Sequence, residues 1–516
     1  MARILVQAGK HPLTPLTHEQ SLAISSMGVF GSNSGNALFY SGVFRALSTP
    51  DSTLVPDGYL YRRREPSREH AAKINDSYDH FVLPMANAFK PRFYPALQRM
   101  TKLIHNVKIP VSVIGVGAQM PFGRAFEDID DEFKKVVGDF AAAVLEHSPS
   151  LGVRGEYTAD LLVHMGFDES QIRVIGCPSL FTFGAAKAPV KKVDEITPDS
   201  KIAFNASPSV KGIGEFLEAN TQTYQNSVVV AQEIERLRLM LWGEETPNKK
   251  EDRRLPVHRD HPLYLQDRLR MFVDPHVWFN YLSEFDFCVG TRIHGNVAGM
   301  LGGTPSLVLA HDSRTTELAQ FTGIPYRMFT EIKDTPLHEL YAEADWSQFE
   351  GKQAKNFENY KDFLDSHNLQ HVFTPGNENP EYDKALASDK YPGPVHSLTA
   401  EGELGRRQII ERLSWLRQGY KGDFARPFYA YKPPVGGPKL IDQDKTRQAI
   451  LDLRAEVKEL RSLLNTQSAD LAAVRDAEPE PEDPQRSLAS RARSAAGRVR
   501  RNVKKQVREA KARRNK

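Results

Sequence analysis

The densest chemistry in this 516-residue chain lies in Gly290-Thr-Arg-Ile-His-Gly295. An apolar run, Phe285–Val289, leads into it, and the small-residue stretch beginning at about Gly295 reads as a helix. Strand, turn and helix in that order place the turn where helix N–H groups and the positive end of the helix dipole meet a ligand. Arg292 and His294 are two residues apart, so both could face one pocket. A guanidinium suits a phosphate or carboxylate, and an imidazole suits proton transfer near neutral pH. The same spacing also fits a turn in which both side chains merely cap and pack.

Other motifs carry less. Asp128-Ile-Asp130 has the form of a metal-binding acidic pair, but it sits in an acidic stretch that reads as a solvated face. His258 and His261 do not make a metal site at their spacing, and no metal is expected. Cys177 and Cys288, the only cysteines, read as buried thiols, so neither a disulfide framework nor a thiolate zinc site is expected. Gly115 and Gly117 lack the third glycine of a dinucleotide loop, because Met120 holds its place.

The elements that must position Arg292 and His294 follow from periodicity. Ile4–Val6, Val111–Gly115, Ile172–Ile175, Ile202–Phe204, Phe285–Val289 and Ser306–Ala310 are short buried runs bounded by turn residues, and they read as strands. Amphipathic stretches between them, such as Phe133–His147 and Ser227–Trp242, read as helices. This alternation predicts an α/β fold with parallel sheets covered on both faces. An Ala, Lys and Pro-rich stretch at Phe183–Asp199 separates two sets of strands. The expected domains are therefore residues 1–190 and residues 200–430, the second closed by peripheral helices, with Glu244–His261 as a charged surface insertion.

Charge divides the chain differently. Lys and Arg total 68 and Asp and Glu 65, a net of +3. Residues 486–516 hold 13 of the bases and one acid, a net of +12, which leaves 55 bases and 64 acids, a net of −9, for the rest. Between these parts, Ile450, Leu453, Val457, Leu460, Leu464, Leu471 and Val474 recur in steps of three and four, or their sum, with Gln467 in the remaining seam position. This pattern predicts a coiled coil over residues 442–475 and self-association through it. An acidic Pro-rich spacer, Ala477–Pro484, opens the segment 476–516, which ends in the basic tail. The tail is cationic at helical spacing and suits an anionic membrane surface. Without aromatic residues it gives no support to base stacking, and nucleic acid is not the expected partner. No apolar run reaches membrane-spanning length, and no secretory signal pattern opens the chain, so the expected location is cytoplasmic, peripheral at the inner membrane face.

Several segments together resemble the polysaccharide pyruvyl transferase family. They are Arg292-Ile-His-Gly295, Gly303-Thr-Pro-Ser-Leu-Val-Leu309, Asp312-Ser-Arg314, Glu317–Pro325, Phe30-Gly-Ser-Asn-Ser-Gly-Asn36, Ile114-Gly-Val-Gly-Ala-Gln119 and Gly152-Val-Arg-Gly-Glu-Tyr-Thr158. Gly176-Cys-Pro-Ser179 stands where Asp-Pro is more usual, and Gly155 follows Arg154 where Asp is common. The resemblance implies two Rossmann-like domains facing a cleft in the manner of GT-B enzymes. It also implies transfer of a pyruvyl unit from phosphoenolpyruvate to a sugar of a polysaccharide or lipid-linked glycan, with no further cofactor. In that chemistry His294 is the candidate acid/base. Arg292 and Arg154 are the candidates for holding phosphate and carboxylate, Arg314 and Lys211 are weaker ones, and Asn33 and Asn36 lie in a loop suited to an acceptor. A nucleotide-sugar glycosyltransferase of the same architecture and a non-catalytic assembly scaffold are the rival expectations.

Overall fold

The computed structural model describes residues 1–24, 28–63, 65–119, 126–245, 252–332, 335–420, 452–455, 457–459 and 461–462. Residues up to Pro433 form one compact unit. In the second unit, Pro434–Lys516, the described residues are helical. The acidic spacer and the basic tail lie outside the described residues, as do most of the residues expected to form a coiled coil and part of the charged stretch 244–261.

The first sheet has β1 (Ala2–Val6), β2 (Ser52–Pro56), β3 (His80–Pro84) and β4 (Val111–Ile114) in the order β2-β1-β3-β4, all parallel. Beyond β4, a parallel bridge from Val116 to Val153 joins β5 (Leu151–Val153), which pairs with β6 (Ile172–Val174). The second sheet has β7 (Ile202–Asn205), β8 (Val228–Val230), β9 (Leu269–Arg270), β10 (Phe287–Gly290), β11 (Ser306–Ala310) and β12 (Tyr326–Met328). Its order, β12-β11-β10-β7-β8-β9, is a parallel Rossmann arrangement. Each sheet reverses its winding once, between β1 and β3 in the first and between β7 and β10 in the second. Loops at the carboxyl ends of those four strands diverge there and leave a crevice. The two crevices open into one cleft, which is the GT-B arrangement.

The strands form where the sequence carries short β-branched and apolar runs; β7, β10 and β11 are buried along their whole length, as parallel strands covered on both faces must be. Ser227–Trp242 is a correction. Val228-Val229-Val230 is a buried strand, and the helix spans only Ile234–Trp242. Three consecutive valines lose side-chain freedom in a helix and pack well on a pleated surface, which overrides the weak helical period.

Helix Phe349–Ser366 runs back from the second sheet to the first. Asn359 Nδ2 donates to Val174 O at 3.0 Å, and His367 beyond its end meets Ser112 Oγ at 2.7 Å and Ser150 Oγ at 3.0 Å. Lys10, after β1, forms an ion pair with Asp274, the residue that precedes helix Pro275–Leu282; both side chains are buried.

Candidate active site

The second-sheet wall of the cleft is built by a buried amide lattice. Asn205, at the end of β7, accepts from the Arg292 backbone N–H at 2.8 Å. Its Nδ2 donates to Asn296 Oδ1 at 3.2 Å, and Asn296 Nδ2 donates to Gly290 O at 2.9 Å. These bonds fix the turn between β10 and helix Ile293–Leu301, so Arg292 and His294 leave it in set directions. The Arg292 guanidinium forms an ion pair with Glu233, and its Nε donates to Ala206 O at 3.2 Å. Arg314 lies in the first turn of helix Ser313–Thr322, and Asp312 caps that helix by accepting from Thr315 N at 2.9 Å. Asp312 also lies 3.5 Å from Arg314 Nη2.

The first-sheet wall supplies Arg154, which follows β5 and is only 2 % exposed. Gly117 makes its position possible: a Cβ there would lie 2.3 Å from Arg154 Nε. That Nε is buried without a hydrogen-bond partner, and the carboxylates of Glu317 and Asp312 act on the guanidinium through their charge. Lys90 and Asn87, from the loop after β3, reach the same space. Turned so that its oxygen faces the cations, the Asn87 amide accepts from Lys90 Nζ at 3.0 Å and Arg314 Nη1 at 3.1 Å.

His294 stands between the walls. Its Nε2 is 3.8 Å from Cys177 Sγ, its ring meets Phe39 edge-on at 6.0 Å, and a Cβ on residue 35 would come within 2.6 Å of its Nδ1. Gly35 at the start of helix Gly35–Leu47 is therefore required for the imidazole to sit there. Burial, and then the charges of Arg154, Arg314 and Arg292, push the imidazole down to about 3. It is neutral near pH 7, and this far below neutral it is a weak base until an anion offsets the guanidinium charges around it. The thiol of Cys177 is pushed up by burial and is also neutral. Burial and neighbouring cations lower Arg292 to about 9, Arg154 to about 10 and Lys90 to about 8, so all three keep a charge at neutral pH. The cavity is about 500 Å³ and is lined by eight Lys and Arg side chains and one carboxylate, Glu235. This is a receptor for anions with a proton acceptor in its wall.

His294, Arg292, Arg154, Arg314, Asn33 and Asn36 all line the cavity. Lys211 does not: it is exposed, ahead of helix Ile213–Thr223, and the carboxyl end of β7 presents Asn205 to the site instead. Asn33 and Asn36 chiefly hold their own loop. Asn33 Oδ1 accepts from Gly35 N at 2.9 Å, and Asn36 Nδ2 donates to Phe30 O at 3.0 Å. Asp130 caps helix Asp131–Leu145 by accepting from Phe133 N at 2.8 Å, a structural task. Among the described residues no group of His, Cys, Asp and Glu is placed to hold a metal ion, and no helix is long and apolar enough to cross a membrane. Sequence reasoning missed Lys90, Asn87, Glu233 and the partnership of Cys177 with His294. The first three lie in loops without a motif, and only the strand order brings them to the cleft.

The family model for polysaccharide pyruvyl transferases matches residues 33–313, more than half of the chain. The chain belongs to that family, as a member of a class of transferases. No curated protein gives a significant match. Solved structures similar to it include Anabaena Alr3699/HepE in complex with UDP-glucose, at 9% identity and a TM-score of 0.38 over 71% of this chain and 99% of that one. UDP-N-acetylglucosamine 2-epimerase from Rickettsia bellii is 12% identical, with a TM-score of 0.36 over 71% and 96% of the two chains. The S. aureus MnaA–UDP structure is 9% identical, with a TM-score of 0.35 over 81% and 97%.

Proposed function

We propose that the protein transfers a pyruvyl group from phosphoenolpyruvate to a sugar of a cell-surface polysaccharide or of its lipid-linked precursor, forming a pyruvate ketal. The observation that carries this reading is Arg154, a buried guanidinium whose Nε has no hydrogen-bond partner, facing the same cavity as Arg292, Arg314 and the neutral His294. The carboxylates of Glu317 and Asp312 offset part of its charge, but a buried guanidinium with an unused donor still carries a desolvation cost. It is retained here because a compact, multiply charged anion completes it.

The chemistry balances with the groups present. One sugar hydroxyl adds to C2 of phosphoenolpyruvate, and His294 takes the hydroxyl proton and passes it to the methylene carbon, which leaves the imidazole free again for the second step. The second hydroxyl then forms its bond to C2 as the C2–O bond to phosphate breaks. Phosphate leaves with its electron pair, and the second hydroxyl proton is lost to the base. The guanidinium groups hold the carboxylate and phosphate through both steps and stabilise the departing charge.

Residues 486–516 are proposed to hold the enzyme at an anionic membrane surface on the cytoplasmic side, and residues 442–475 to associate copies of the chain. Turnover tests the donor. With phosphoenolpyruvate and glycan or lipid-linked glycan acceptors, phosphate release should require both substrates and disappear in His294→Ala. Product formed from a nucleotide sugar with no consumption of phosphoenolpyruvate contradicts the reading.

A further inference from the structure

Helix Ser313–Thr322 follows a strand of the second sheet, yet its carboxylates bond to the first-sheet half of the molecule. Glu317 Oε1 accepts from Thr158 N at 2.8 Å, and Thr158 Oγ1 donates to Glu317 Oε2 at 3.4 Å. The same hydroxyl accepts from Ala118 N at 3.1 Å. Asp312, which caps the helix, accepts from Gln119 Nε2 at 3.4 Å. Glu317 is buried and does not line the cavity.

Helix Glu156–His164 has no cap of its own. Gly155 precedes it and offers no side chain. Thr158 is its third residue, and the N–H at that place is the one that an Asp or Ser in the cap position satisfies. Glu317 satisfies it from the other side of the cleft. A Cβ on residue 155 would lie 2.3 Å from Glu317 Cγ, so the carboxylate fills the space that a capping side chain would need. With φ at −170°, the backbone of Gly155 is extended and open to any residue, so space and not conformation calls for the glycine.

This contact has a second consequence. Arg154 is the residue before Gly155, and Arg314 lies one turn ahead of Glu317 on the same helix. Both arginines line the cavity. One run of bonded groups therefore joins two guanidinium-bearing segments across the cleft.

We infer that Glu317 is a positioning residue for the donor site: it caps helix Glu156–His164 from across the cleft and so fixes the spacing of Arg154 and Arg314 around a bound anion. The inference rests on the donor reading for the identity of that anion.

Calorimetric titration of the full chain tests it. Glu317→Ala removes a negative charge that acts on Arg154, and on charge alone this should tighten the binding of an anion. If spacing governs, phosphoenolpyruvate should instead bind about tenfold or more weakly. Glu317→Gln keeps an acceptor for the Thr158 N–H and should bind within about threefold of the unaltered chain. Gly155→Asp combined with Glu317→Ala returns the cap to the helix's own half of the molecule. That double variant should recover the urea midpoint lost in Glu317→Ala while its binding stays weak. Where Glu317→Ala does not fold, the double variant against Glu317→Gln carries the same comparison. Unchanged or tighter binding without Glu317, or binding recovered together with stability in the double variant, overturns the inference and leaves Glu317 a structural cap. Inorganic phosphate, as a second probe, keeps the two readings apart. If phosphoenolpyruvate does not bind the unaltered chain, but phosphate does and is weakened in the same variants, the donor reading fails and the positioning role stands. Binding of neither anion overturns both.

Discussion

His294 Nε2 lies 3.8 Å from Cys177 Sγ, so the imidazole in the cleft is backed by a neutral thiol and not by a carboxylate. The consequence is a base held far below its ordinary range by burial and three guanidinium groups. An anion on those guanidinium groups removes much of the repulsion. The NMR titration midpoint of His294 should therefore rise when phosphoenolpyruvate is added. In Cys177→Asp, a carboxylate at this distance should raise the midpoint in the free protein by roughly 1–3 pH units. A midpoint unmoved by both changes would show that these groups do not control the imidazole.

Arg154 separates activity from stability. Arg154→Met should lower kcat/KM for phosphoenolpyruvate by roughly 10- to 150-fold or more, the worth of hydrogen bonds to a charged group. The urea midpoint of the same variant should change little, because the desolvation cost of the buried guanidinium is removed while Glu317, which feels its charge, keeps its hydrogen bonds from Thr158. Loss of both activity and stability would make Arg154 a structural residue.

The buried pair of Lys10 and Asp274 should behave in the opposite way. Asp274→Ala leaves Lys10 buried without its counter-charge and should cost about 3–5 kcal/mol of unfolding free energy. Lys10→Met combined with Asp274→Leu should recover most of that loss in denaturant melts. Equal losses in the single and double variants would show that packing, and not charge, holds this contact.

Acid should loosen the return of helix Phe349–Ser366 to the first sheet. Ser112 Oγ stands between His80 Nε2 at 2.8 Å and His367 Nδ1 at 2.7 Å. Burial pushes both imidazoles down to about 4, and for His367 the charges of His80 and Arg173 add to this. Between pH 6.5 and 4 the unfolded chain binds protons that the folded chain refuses, so stability is full above 6.5 and falls as pH drops toward 4. The loss should be on the order of 2–3 kcal/mol per histidine by pH 4, read from urea midpoints across pH. His367→Gln should flatten that profile.

Much of the cleft was legible because its second-sheet wall is made by one contiguous segment. The run Phe285–Val289 becomes β10, and the turn after it presents Arg292 and His294 as its spacing suggested. Arg154 was reached through resemblance, since nothing local to Val153-Arg154-Gly155 says that Gly117 will clear a slot for its side chain. Lys90, Asn87 and Glu233 were not legible, because their place depends on the order in which β1, β3, β7 and β10 pair, a long-range property that periodicity does not encode. Lys211 was misplaced for the same reason: proximity to β7 in sequence did not mean the cleft edge of its loop. Strands β2 and β3 also escaped notice. Ser52–Pro56 alternates weakly, and His80–Pro84 is short and begins with a polar residue.

The most direct measurement is a crystal structure of the full chain with phosphoenolpyruvate. The account predicts density for the ligand in the cleft, its phosphate and carboxylate held by Arg154, Arg292 and Arg314 and its C2 within reach of an acceptor beside His294. Ligand bound elsewhere, or no density beside these three guanidinium groups at saturating concentration, would contradict it.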